Sequence, residues 1–170
     1  MLAFAVVLDA CALFPASLRD MLLRAADAGL YKLQFTNDIL EEVRRNLVLQ
    51  RNIPEEKAQR LIDIIKTHFP ESLITDHHQL IKAMPINTKD RHVLAAAVVG
   101  KAQIIVTQNI KDFPKSSLAP FEITAQSPDE FLLRLFSLNP YVILNIIKEQ
   151  AKDLRNPPKT PFDILETLSL

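Results

Sequence analysis

Only one cysteine, Cys11, occurs in 170 residues, so no intramolecular disulfide framework holds this chain together. That suits a reducing compartment, and a cytoplasmic location is expected. Aromatic residues make up 6% of the chain against 48% hydrophobic residues overall, which points to an aliphatic core. The length suffices for one well-packed domain. An excess of charge is missing too: Lys plus Arg equals Asp plus Glu, so no whole-molecule field gathers nucleic acid, and any such binding needs a local patch. No apolar run approaches the roughly 20 residues needed to span a bilayer, so no membrane association is expected. The apolar N-terminus, MLAFAVVLDACALFP, has no basic residue before Arg19 and is interrupted by Asp9; it reads as a buried first strand rather than a signal peptide. Internal repeats, low-complexity tracts and long charge blocks are absent, and with them any compositional mark of a second independent domain.

What is present is organised around PINTKDRHVLAAAVVGKAQIIVTQNIKDF, Pro85 to Phe113. Thr88 is placed to cap a helix, Asp90 falls in its first turn, and Val93, Leu94, Ala97 and Val98 form an apolar stripe that stops at Gly100. Gln103 to Val106 is then a short run rich in β-branched residues, the pattern of a buried strand in a parallel sheet. Asn109 and Asp112 follow directly, and in an open parallel sheet ligands sit beyond the carboxyl ends of the strands.

The rest of the chain repeats the alternation. Ala3 to Leu8 is an apolar strand closed by Asp9, a carboxylate whose burial is costly unless something pairs with it. Pro15 to Ala28 reads as a helix stopped by Gly29, and Tyr31 to Phe35 as a second strand. Thr36, Asn37 and Asp38 then cap a helix whose buried stripe is Ile39, Leu40, Val43 and Leu47. At about 100° per residue Glu42 flanks that stripe while Glu41 lies nearly opposite, so Glu42 is the inward carboxylate. A structural helix follows Pro54. Leu73-Ile74 reads as a short strand, and the adjacent His77 and His78 as part of a solvated loop, since neighbouring histidines rarely chelate a metal without partners. Phe121 to Thr124 supplies one more strand. Beyond it Ser127 caps PDEFLLRLF, a helix follows Pro140, Arg155 to Pro161 is a proline-rich connector, and FDILETL closes the chain. The fold class expected is α/β, a parallel sheet flanked by helices, with an all-helical C-terminal extension.

Asp9, Glu42, Asp90 and Asp112 thus lie where strands end or helices begin on one edge. Two ionised carboxylates about 4 Å apart repel by roughly 4 kcal/mol at an effective dielectric near 20, so the group needs a counter-charge or must hold protons. A hard divalent cation answers that need, and carboxylate oxygens suit Mg²⁺ or Mn²⁺. Such a site can hydrolyse a phosphodiester without a side-chain nucleophile.

The strand-terminal LDA at Leu8 to Ala10, EEVRRNL at Glu41 to Leu47, DRHVLAAAV at Asp90 to Val98 and IVTQNIKDF at Ile105 to Phe113 resemble the PIN domain over residues 3–125. The resemblance implies a Rossmann-like sheet and a metal-dependent ribonuclease, with Asp9, Glu42, Asp90 and Asp112 as catalytic metal ligands and Thr107 and Asn109 as supporting polar groups. Many small prokaryotic members are VapC-type toxins, so an RNA substrate and an antitoxin partner are implied. The helical tail resembles the extension of a longer VapC subgroup. The expected division is a nuclease domain at 1–125 and an extension at 126–170. Related sequences often carry further acids just before DRHV, where this chain has Asn87, Thr88 and Lys89, a change that bears on metal affinity.

Two other readings stay open from the residues alone: a DNA or structure-specific nuclease on the same fold, and a catalytically silent module whose tail binds a partner. His92 reads as a packing or hydrogen-bonding residue and Cys11 as a small buried hydrophobe near the site. Arg44, Arg45, Lys101, Lys111 and Lys115 suit either a phosphate-binding rim or scattered surface charge. Apolar residues of the tail, among them Phe131, Phe136, Val142 and Ile146, either pack on the sheet domain or serve a homodimer or antitoxin contact.

Overall fold

The structure, a computed structural model, describes residues 3–154 and 159–168. A four-stranded sheet has the order β2-β1-β3-β4, every pairing parallel, with β1 at Ala5–Leu8, β2 at Lys32–Gln34, β3 at Ile104–Val106 and β4 at Thr124–Gln126. The central pair is buried along its whole length, as uninterrupted apolar runs require in a sheet covered on both faces. Val6 pairs with Leu33 on one side and Ile104 on the other, so the carboxyl ends of β1 and β3 emerge together. Helices α1 (Ala10–Leu13), α2 (Ala16–Asp27), α3 (Asn37–Arg51), α4 (Glu55–His68), α5 (Arg91–Val99) and α6 (Lys115–Leu118) alternate with these strands.

Local chemistry sets the boundaries. Thr36 caps α3 by accepting from the Ile39 N–H, and Asn52 ends that helix in the left-handed region at φ 52°. Gly29, at φ 79°, makes the turn after α2. Gly100 differs: it closes α5 with an ordinary φ of −74°, and its small size matters because a Cβ there would lie 2.3 Å from Gln34 Oε1.

Three expected boundaries move. Thr88 makes no capping bond; Thr88–Asp90 is a 3-10 turn and Asp90 stands at the N-cap position of α5 without capping it through its side chain. The last strand is displaced to Thr124–Gln126 because Ala119–Phe121, containing Pro120, is a 3-10 turn ended by Glu122 at φ 58°. Leu73 contributes only an isolated bridge to Phe35, since the 3-10 turn at Pro70–Ser72 precedes it and a turn begins at Asp76.

The extension comprises α7 (Pro128–Leu138), α8 (Pro140–Asp153) and α9 (Pro161–Leu168). Ser127 and Glu130 form a reciprocal capping box on α7, and Asn139 caps α8. Residues 155–158 of the expected connector lie outside the described residues. Phe131 is fully buried, its ring edge-on to Tyr31 at 5.0 Å and to Phe4 at 6.3 Å, and Leu135, Ile143, Ile146, Ile147 and Ile164 join the same core. Buried Gln150 donates to Ser17 O at 3.1 Å and Asp20 Oδ2 at 2.9 Å, fastening α8 to α2. Much of the tail's apolar surface is therefore spent on the sheet domain. No single helix among the described residues is long and apolar enough to cross a membrane; α7 and α8 pass that test only as a pair bent by 119°.

Candidate active site

Asp9 leaves β1 and serves as the N-cap of α1. Its Oδ1 accepts from the Ala10 N–H at 2.8 Å and its Oδ2 from the Thr107 hydroxyl at 2.8 Å. Only 5% of it is exposed. Thr107 follows β3, the strand beside β1, which explains how residues 98 positions apart meet. The same hydroxyl accepts from the Asn109 N–H at 3.1 Å, and the Asn109 carbonyl accepts from the Asp112 N–H at 2.9 Å. Asn109 thus links Asp9 to Asp112 through its backbone, while its side chain is on the surface.

Cys11 is more polar in its surroundings than a small hydrophobe. Its Sγ lies 3.6 Å from Asp9 Oδ2 and 3.4 Å from Thr107 Oγ1, and it accepts from the Gln108 N–H at 3.3 Å. Burial, with the Asp9 charge adding to it, pushes the thiol up to about 11, so it stays protonated and is no nucleophile at neutral pH.

Asp90 is 8% exposed, and its Oδ2 has no hydrogen-bond partner among the described residues. Lys89 Nζ is 3.9 Å from that oxygen and 3.0 Å from Asp112 Oδ2. Burial raises the Asp90 carboxyl above its ordinary value; Lys89 opposes the rise, and Asp112 and Asp9 add to it. Asp9 and Asp112 therefore both sit within electrostatic reach of Asp90. Glu42 stands to the side on α3, its Oε2 3.9 Å from His92 Nε2. Glu41 points elsewhere, to Arg44. Arg44 is in turn engaged by Glu41 and Glu55, which withdraws it from a phosphate-binding rim.

A second polar group was not legible in the chain. His77 is 1% exposed rather than solvated, because it is folded beneath the first turn of α3, where its Nε2 lies 2.9 Å from Asp38 Oδ2. His78 Nε2 lies 3.0 Å from the same oxygen. Burial works against the Asp38 carboxylate, yet the His77 hydrogen bond and the charges of His78, His77 and His92 outweigh it and hold the carboxyl low. The donor atoms of Asp38, His77 and His78 all fall within 4.8 Å of one another, a spacing compatible with a metal ion. Against that use, buried His77 Nδ1 has no hydrogen-bond partner among the described residues, whereas metal-bound imidazoles ordinarily donate their other N–H to an acceptor.

A groove of about 1150 Å³ lies apart from Asp9, Asp90 and Asp112. It runs between the α1–α2 corner, the α3–α4 turn and the extension, meets the site at Gln108, and carries Arg51 and Lys57 in its wall.

The family model of the PIN domain matches residues 5–111. The chain belongs to the PIN domain family. A second match, to the VapC50 C-terminal domain, covers residues 128–169. Among curated proteins the chain is similar to "Putative ribonuclease VapC50" of Mycobacterium tuberculosis (strain ATCC 25618 / H37Rv), 41% identical over 106 residues. That alignment takes in 60% of this chain and 63% of the relative. No solved structure matches the chain. Within this PIN fold the aspartates stand at the carboxyl edge of a parallel sheet, where open α/β sheets bind their ligands.

Proposed function

We propose that this PIN domain protein is a metal-dependent endoribonuclease, the toxin of a toxin-antitoxin pair acting in the cytoplasm. The observation that carries the reading is the convergence of Asp9 and Asp112 on buried Asp90, whose Oδ2 is left without a hydrogen bond. A buried, partnerless carboxylate oxygen is costly, and a hard cation removes that cost. The donor set fits Mg²⁺ or Mn²⁺: it offers carboxylate oxygens and no thiolate.

Asp9, Glu42, Asp90 and Asp112 would hold the ion. Once bound, it supplies an activated water and neutralises charge on the phosphate. The protein's own share is orientation. The Ala10 N–H and the Thr107 hydroxyl fix the plane of the Asp9 carboxylate, and the Asn109 backbone ties Asp112 to the same hydroxyl. Glu42, half-exposed beside His92, is placed to complete the ligand set. Arg51 and Lys57 in the adjoining groove suit an RNA backbone, which is recognised mainly by such cations. The relative's printed name, a ribonuclease, supports RNA over DNA. Exposed Leu133, Phe136, Tyr141 and Leu144 on the extension suit an antitoxin or a second copy.

The test is cleavage of total RNA, beside matched DNA oligomers, by purified protein with Mn²⁺ or Mg²⁺. EDTA and Asp9→Asn should each abolish RNA cleavage, with the variant still folded. RNA cleaved equally well in EDTA would remove the metal from the mechanism, and DNA cut in preference would replace the substrate.

A further inference from the structure

Among the described residues, Lys89 is the one lysine or arginine ion-paired to the aspartate cluster, through Asp112 and Asp90. Its Nζ is 3.0 Å from Asp112 Oδ2 and 3.9 Å from Asp90 Oδ2. Its side chain is 66% exposed, so it approaches from solvent at the end of a flexible stem. The Asp9 oxygens accept from the Ala10 N–H and the Thr107 hydroxyl, and Asp112 has the ammonium, whereas Asp90 Oδ2 has no hydrogen bond among the described residues.

We propose that Lys89 is a resident cation that competes with divalent metal for Asp112 and limits the site to one tightly held ion. The proposal rests on the metal-dependent reading of the site. Its basis is charge and distance. The ammonium offsets one of the carboxylate charges that would hold the ion, and a second dication would be placed against Lys89 as well as against the first. A hydrogen-bonded ammonium at Asp112 also occupies an oxygen that a second ion would need. Because the side chain is long and exposed, it can leave Asp112 without disturbing the fold, which makes its charge, rather than its packing, the controlling property.

The experiment is a titration of the full chain with Mn²⁺ alone, at fixed ionic strength, reading free Mn²⁺ by electron paramagnetic resonance. Wild type, Lys89→Met, Lys89→Arg and Asp90→Asn are compared. Wild type is expected to bind one Mn²⁺ per chain. Lys89→Met should bind it about tenfold more tightly or take up a second ion, since a like charge a few ångströms away is worth about that factor in a solvated site. Lys89→Arg, keeping the charge, should behave as wild type. Equal affinity and stoichiometry in wild type and Lys89→Met would overturn the competition while leaving the site reading intact, and two tight ions in wild type would do the same. Absence of binding in every protein, or undiminished binding in Asp90→Asn, would overturn the site reading and this proposal with it.

Discussion

At the scale of single residues, the site is built by making one carboxylate uncomfortable. Asp90 is buried near two other aspartates, so its folded-state value is raised above its unfolded one. Ionising it therefore costs folding energy. The cost is absent below the unfolded value of about 3.9 and fully present once the pH has passed the folded value. Metal-free wild type should lose stability relative to Asp90→Asn as pH rises through that window, and at pH 7 in EDTA the variant should melt higher. A variant that melts no higher would mean that ionised Asp90 is at no disadvantage. The approach of Asp9 and Asp112 to Asp90 was legible because strand ends and helix starts are marked in the chain. The His77–Asp38 contact was not, because it joins residues 39 positions apart with no periodic signal, and adjacent histidines after a short strand look like a surface loop.

At the scale of elements, α5 and β3 carry the plan. Their order and type follow from the apolar stripe of Val93 to Val98 and the β-branched run at Ile104 to Val106, both plain in the sequence. The reason for the glycine between them was not. Gly100 reads as an ordinary helix stop, yet its backbone is not left-handed; it is small because Gln34, from β2, lies against it and donates from Nε2 to its carbonyl at 2.7 Å. Gly100→Ala should push the Gln34 amide away and break that partly buried bond, costing about 1–3 kcal/mol in denaturant unfolding. Gln34→Ala in the same background should add little more, since the two changes remove one interaction. Additive losses would show that the contact is not shared. The shifted β4 has a similar lesson: Phe121 to Thr124 has strand composition, but Pro120 and the left-handed Glu122 hold the start of that segment in a turn.

At the scale of the molecule, the extension is part of the same core. Phe131 from α7 fills the space beside Tyr31 and Phe4, and Gln150 from α8 is fastened to α2. Phe131→Ala should therefore cost about 3–5 kcal/mol. The loss should be read in one cooperative transition that includes the sheet. A separate early transition, with the sheet unaffected, would show that the extension melts on its own. The parallel sheet itself was evident from alternating strand and helix patterns, whereas the docking of the tail was left open between packing inward and serving a partner. Contacts between residues as distant as Ser17 and Gln150 leave no trace in local pattern.

The strand order also has a consequence for how the protein is made. β1, made before both of its neighbours, lies between β2 and β3, and β3 begins only at Ile104. The fastening of α2 waits longer still, for Gln150. Long-range pairings of this kind form late, after most of the chain is available. Asp9 and Asp112 cannot both approach Asp90 until Asp112 itself has been made, so any activity that depends on all three waits until the chain has been synthesised past that residue.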